Sequence, residues 1–298
     1  MSKVQAHLFL VAASMIYGCN FVISKLAMPQ YITPYAFIFL RIIGAAVLFT
    51  LLHTFTVKEK IEDKKDYKRL FLAAVFGACV NQLLFFEGLA QTSPINASVI
   101  VVTSPVIVLT LSFIFLKEKV TPLKIIGISI GFIGAILMIG LNGIAFHSGS
   151  VKGDIMVLVN AILYSVYLVI SKPLLAKYHP FTVMKWIFIL AVPMVTAATW
   201  QDVIAVDWKA IPLPIWGAIA YVVICTSFLA YLFYAIAMRV LNASTASFYI
   251  YFQPVVATIV AIIVFDESLK TVQVMAAALI FTGVYLVSIK KKQKKSTN

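Results

Sequence analysis

Tyr17-Gly-Cys-Asn-Phe-Val-Ile-Ser-Lys25 returns later in the chain as Tyr164-Ser-Val-Tyr-Leu-Val-Ile-Ser-Lys172, identical at five of nine positions. A second, sparser match keeps the same order. Ala97, Ser98, Pro105, Glu118 and Gly134 pair with Ala246, Ser247, Pro254, Glu267 and Gly283, each 149 positions on. Two matches in one order predict an internal duplication, with the first copy over 1–145 and the second over 146–298.

Both nonapeptides sit inside apolar runs. Working outward from them, such runs fall at about 6–27, 34–53, 69–90, 94–116, 122–140, 153–171, 181–199, 214–237, 243–265 and 272–289. Each is close to the roughly 20 residues that carry a helix across a hydrocarbon core of about 30 Å. Pro34, Pro94, Pro122 and Pro214 mark starts, where the missing amide hydrogen has no helical partner to lose. The first run is too long for a signal-peptide core and reads as a membrane helix. The expected fold is therefore an all-α integral membrane protein of ten transmembrane helices. Each copy holds five spans, an odd number, so the second copy must enter the membrane from the opposite side. Inverted repeats of this kind place a pseudo-two-fold axis in the membrane plane and a substrate site near the midplane, where the halves meet.

Composition excludes the soluble alternatives. Of 298 residues, 62% are hydrophobic and 12% charged, against roughly 25% charged in soluble proteins. The net charge of +13 would suggest nucleic acid in a soluble chain, but here the basic residues flank apolar runs, so anionic lipid headgroups are the expected partner and nucleic acid is not. Counted by alternate sides, 19 of the 24 Lys and Arg fall on the side of both termini and four on the other. The positive-inside rule then places both termini in the cytoplasm, with the tail Lys290, Lys291, Lys292, Lys294 and Lys295 as a topology anchor. Cys19, Cys79 and Cys225 are odd in number and lack metal spacing, which supports neither a disulfide framework nor a metal site. His7, His53, His147 and His179 are dispersed, and no Walker loop or serine-triad signature is present, so an enzyme is not expected and no cofactor is implied.

Residues three and four apart share a helix face. In the first span that face carries Ala13, Tyr17, Asn20 and Ser24; its repeat carries Asn160, Tyr164, Tyr167 and Ser171. Spans three and eight offer Ala78, Gln82, Phe85, Leu89 and Ser227, Tyr231, Tyr234, Met238. Spans four and nine offer Ser98, Val102, Pro105 and Ser247, Tyr251, Pro254, with each proline removing a helical amide donor. Polar groups buried without partners are costly, so these faces should line a cavity or bond between helices. Tyr17, Asn20, Gln82, Phe85, Ser98, Asn160, Tyr164, Tyr167, Tyr231, Tyr234 and Tyr251 are the candidate substrate-binding residues. Arg41 and Glu87, ionisable groups within spans, are candidates for proton or charge handling; Arg41 is expected to pair with carbonyls or with Glu87. Glu118 and Glu267, at matched span ends, should cap or bind neighbouring loops. Gly127, Gly131 and Gly134 permit close helix approach.

This pattern resembles the EamA family of the drug/metabolite transporter superfamily, whose members are ten-span carriers built from two such copies. The resemblance rests on Tyr17-Gly18-Cys19-Asn20-Phe21 with Lys25, Arg41, Asn96-Ala97-Ser98 leading to Pro105, Glu118, Gly127 and Gly134, and on Ala246-Ser247, Pro254, Glu267 and Gly283. It implies a central cavity lined by spans 1, 3, 4, 6, 8 and 9 and transport of small organic metabolites, frequently amino acids outward across a bacterial inner membrane. Two departures stand out: Tyr17 occupies a position where the family often has Trp, and the second copy has no arginine matching Arg41. With no ring of basic residues in the spans, a neutral or zwitterionic amino acid is a better expected substrate than a sugar phosphate. Proton-coupled efflux of lipophilic or quaternary cations, stacked on Tyr17, Tyr164, Tyr231 or Tyr234, is the rival. A monomer or weak homo-oligomer is expected.

Overall fold

The computed structural model describes residues 1–92, 97, 100–139, 151–265 and 271–288. Pro94, Asn96, Ser98, His147, Glu267 and the tail lysines lie outside the described residues. All regular structure among the described residues is helical: α1 (Lys3–Ala27), α2 (Pro34–Thr56), α3 (Lys64–Gln91), α4 (Ser104–Leu116), α5 (Pro122–Ile139), α6 (Val151–Lys177), α7 (Pro180–Ala205) and α8 (Leu213–Val240). Helix α9 starts at Ala243–Ser247, tightens to a 3-10 turn at Phe248–Tyr251 and continues through Phe252–Phe265, and α10 spans Thr271–Ser288. Local chemistry sets the starts. Ser2 and Gln5 form a reciprocal capping box at α1; Thr33 accepts from the Ala36 amide ahead of α2, which opens on Pro34.

Seven of these helices are long and apolar enough to cross a membrane; α4 and the apolar parts of α5 and α10 are shorter. Their outward faces leave Phe55, Phe115, Leu213 and Ile263 exposed by 69–84%, as a lipid-facing surface does and a water-facing one seldom does. The chain is an all-α, multi-span membrane protein.

Packing runs between the two halves of the chain. Helix α1 lies on α8 and α9, α6 lies on α3 and α4, α2 pairs with α7, and α5 pairs with α10. This set is unchanged when α1–α5 and α6–α10 trade places. Small residues bring α5 and α10 together: a Cβ on Gly283 would sit 2.6 Å from the Gly127 carbonyl oxygen, and one on Gly134 would sit 2.9 Å from that of Ala276.

Departures from α geometry also come in matched places. Helix α3 contains a π turn at Val75–Cys79 and α8 one at Val222–Ala230. Ahead of Pro105 the chain turns at 102–103, and ahead of Pro254 it adopts the 3-10 turn at Phe248–Tyr251. The prolines therefore interrupt regular α structure, as loss of an amide donor favours.

At one end of the bundle Lys177 Nζ donates to Asp66 Oδ2 at 2.6 Å, the Tyr178 hydroxyl donates to the same oxygen at 2.9 Å, and the His179 amide donates to Glu59 Oε2 at 2.8 Å. The 54–68 link and the 172–185 region thus share an end, as their counted side requires.

Candidate functional site

A cavity of about 90 Å³ opens where the halves meet, well above the roughly 10–15 Å³ needed to hold a first water. Tyr17, Asn20 and Phe21 of α1, Arg41 of α2, Asn81, Gln82 and Phe85 of α3, and Val101 and Ser104 at the head of α4 form one part of its wall. Asn160 and Tyr164 of α6, Thr226 and Tyr231 of α8, and Ile250 and Gln253 of α9 complete it. Four pairs of repeat-equivalent residues thus face one space: Tyr17 with Tyr164, Gln82 with Tyr231, Val101 with Ile250, and Ser104 with Gln253.

One such pair touches directly. Gln82 Nε2 donates to the Tyr231 hydroxyl at 2.6 Å, and that hydroxyl donates to the Gly77 carbonyl, in the α3 π turn, at 2.9 Å. Asn81 and Asn160 exchange bonds, each side-chain amide donating to the other's backbone carbonyl at 3.1 and 2.8 Å. Asn20 Oδ1 accepts from Ser24 and Thr226 at 3.0 and 3.1 Å. These bonds hold the amides in place and join α1, α3, α6 and α8 across the cavity. They serve both uses expected of the polar faces, since the same residues line a cavity and bond between helices.

Of the expected site residues, Tyr17, Asn20, Gln82, Phe85, Asn160, Tyr164, Tyr231 and Arg41 line the cavity. Ser98 lies outside the described residues. Tyr167, Tyr234 and Tyr251 lie outside the described lining, and so does Glu87, which was expected to handle protons or charge rather than to contact the substrate. The Tyr167 ring fills the space that a side chain on Gly77 would need. Tyr234 packs behind Tyr17, ring centroids 6.0 Å apart. Tyr251 is fully buried against Phe248, 4.8 Å between centroids, and over Gly131. Glu87 accepts from its helical neighbour Gln91 at 2.6 Å.

Arg41 is 4% exposed. Its Nε donates to Ser227 Oγ at 2.8 Å, and its guanidinium carbon lies 4.6 Å from the Phe86 ring centre. Among the described residues, this contact with α8 stands where a pairing with Glu87 or a carbonyl was expected. The Ser227 hydroxyl in turn donates to the Val222 carbonyl, five residues back within the π turn.

Asn81, Thr226, Ser104, Gln253, Phe21, Val101 and Ile250 are wall residues that periodicity did not select. A π turn inserts an extra residue, and each residue of an α-helix turns by about 100°. A face drawn at uniform α spacing through the α8 turn consequently slips out of phase, and Thr226 replaces Ser227 in the wall, whereas Gln82 and Phe85 of α3, both beyond its turn, keep their predicted face. Ser104 and Gln253 had a usable signal, since each directly precedes one of the matched prolines.

Glu118 binds the start of α9, accepting from the Ala243 amide at 3.1 Å and from the Ser244 hydroxyl, with Lys124 Nζ at 3.7 Å. It therefore caps a neighbouring element, as expected. Lys172 Nζ donates to the Met238 and Leu241 carbonyls at the end of α8. Among the described residues, no three His, Cys, Asp or Glu side chains gather as a metal site requires.

The EamA-like transporter family model matches the chain twice, over residues 4–140 and 151–289. The chain belongs to the EamA-like transporter family. As an EamA-like protein it is a membrane transporter of small molecules and not an enzyme. It is 27% identical over 293 residues to the uncharacterized transporter YyaM of Bacillus subtilis, covering 97% of this chain and 95% of that one. An uncharacterized transporter of Archaeoglobus fulgidus is also 27% identical, over 263 residues covering 88% of this chain and 91% of the relative. A crystal structure at 18% identity superposes with a TM-score of 0.78, covering 96% of this chain and 97% of the other, and shares the EamA-like fold. The EamA resemblance predicted a cavity lined by spans 1, 3, 4, 6, 8 and 9. All six contribute among the described residues, and Arg41 adds α2.

Proposed function

We propose that the protein is a secondary transporter exporting a small organic metabolite, foremost a neutral or zwitterionic amino acid, across a bacterial plasma membrane by alternating access. The carrying observation is the cavity wall built from repeat-equivalent pairs. In this reading residues 1–145 and 146–298 are inverted five-helix repeats, ten spans in all, with both termini cytoplasmic. The exchange-symmetric packing, the matched π turns and the double family match support it. An inverted pair related by a two-fold axis has two equivalent ways to close, one on each side, and rocking between them exposes the site alternately. Tyr17, Asn20, Gln82, Phe85, Asn160, Tyr164 and Tyr231 would contact the substrate, the amides orienting polar groups and the rings packing on its body.

Efflux of lipophilic or quaternary cations is the second reading, favoured by the three tyrosine rings in the wall. The absence of a carboxylate among the described wall residues weighs against it.

Purified protein in liposomes, offered labelled amino acids and tetraethylammonium with and without an imposed pH gradient, separates these readings. Saturable amino acid uptake is the expected result. Uptake of the cation alone would replace the first reading with the second, and uptake of neither would reject both. Glu87→Gln is expected to blunt the response to the pH gradient; an unaltered response removes Glu87 from proton coupling.

A further inference from the structure

The cavity contains a charge that no carboxylate pairs with among the described residues. Arg41 is 96% removed from solvent by its 4% exposure, yet the salt bridges among the described residues are Lys124–Glu118, Lys177–Asp63 and Lys177–Asp66. None includes it. A guanidinium carries five N–H donors in a planar fork. Among the described residues, one of them is engaged, Nε to Ser227 Oγ at 2.8 Å, which leaves the four on the terminal nitrogens. The guanidinium carbon lies 4.6 Å from the Phe86 ring centre, a cation–π contact. Ser104 adds an independent observation: its hydroxyl is buried in the same wall without a hydrogen-bond partner among the described residues.

A buried, unpaired cation is unfavourable unless something completes it. The remainder of the described wall is neutral amide, hydroxyl, aromatic and aliphatic; water can solvate the free donors there but brings no countercharge, which an anionic group on the cargo would supply. A carboxylate meets the fork with two parallel, charge-assisted bonds, and no other common metabolite group of single charge matches that geometry as well. A phosphate would bring a second charge for which the described wall has no second cation.

We propose that Arg41 is the anchor for a free carboxylate on the transported molecule. The inference rests on the transporter reading above and narrows it to carboxylic acids and amino acid zwitterions. Because Arg41 also holds Ser227 of the α8 π turn, carboxylate binding and the position of α8 share one side chain. Since the second copy lacks a matching arginine, the cargo is bound in one orientation in spite of the paired wall.

The test is thermal stabilisation of the purified full-length chain in detergent micelles by matched ligands. Each standard amino acid is compared with its amide, propionate with propionamide, and tetraethylammonium is included as the cation. At least one acid is expected to stabilise the protein, with its amide about tenfold weaker or worse, because a site built for the group leaves buried donors unpaired when the group is missing. Arg41→Gln should abolish the difference between acid and amide, and Arg41→Lys should keep part of it, as a point charge without the fork does. The proposal is overturned if amides or tetraethylammonium stabilise as well as the acids, if no acid stabilises at all, or if Arg41→Gln discriminates like the parent. Should Arg41→Gln not give monodisperse protein, the parent's acid-to-amide ratio and Arg41→Lys decide. Failure of the transport reading looks different: acids would still bind through Arg41 while liposomes moved no solute.

Discussion

Tyr231 shows how a single side chain joins the two halves. Its hydroxyl accepts from Gln82, the residue 149 positions earlier, and donates to the Gly77 carbonyl, while its ring packs 5.2 Å from Phe188 and 6.1 Å from Tyr167. Tyr231→Phe keeps the ring and removes both bonds. Unfolding in detergent should then show a loss of about 1–2 kcal/mol, within the range for a buried hydrogen-bonding group left without its partner. An unchanged stability would mean that the Gln82 contact is not formed. The sequence made Tyr231 visible as one polar position of a helix face. It did not reveal that the same oxygen serves a π turn in the opposite half, because hydrogen bonds between distant helices leave no periodic trace.

Helix elements are shaped by small residues where they cross and by interruptions where they face the cavity. Gly283 and Gly217 both lie within helices but in opposite circumstances. A Cβ on Gly283 would press into the Gly127 carbonyl and the Gly131 backbone, whereas a Cβ on Gly217 meets nothing within 4 Å. Gly283→Ala should therefore cost about 1–3 kcal/mol through overpacking. Gly217→Ala should be neutral or gain up to about 1 kcal/mol from helix propensity. Comparable melting behaviour of the two variants would remove close α5–α10 contact as the reason for Gly283. That contact was partly legible, since Gly127, Gly131 and Gly134 announced a packing face. Its partner helix was not. The π turns at Val75–Cys79 and Val222–Ala230 escaped the sequence reading altogether, since nothing in their composition departs from the surrounding apolar helix. In α8 the turn coincides with a change in the wall, where Thr226 lines the cavity in place of the predicted Ser227.

At the scale of the molecule, the two halves are interleaved rather than set side by side, with every major helix contact between them reproduced by exchange. Threading can be tested directly. Once Cys19, Cys79 and Cys225 are replaced, single cysteines at Lys60, Lys177 and Lys152 should react with a membrane-impermeant reagent in two classes. Lys60 and Lys177 should label from the cytoplasmic side and Lys152 from the other. Labelling of Lys60 and Lys177 from different sides would contradict the ion pairs that tie Lys177 to Asp63 and Asp66. Sequence alone determined the membrane class and the approximate helix bounds and pointed to two family-like halves, because apolar run length and spaced identities are written along the chain. Arg41 could be seen as an ionisable group within a span, but its partner could not. Only the tertiary structure decided that it turns to Ser227 instead of Glu87, that Tyr167, Tyr234 and Tyr251 pack behind the wall, and that Gln82 meets Tyr231. Those outcomes depend on helix rotation and crossing, which are set by side-chain packing between segments far apart in the chain.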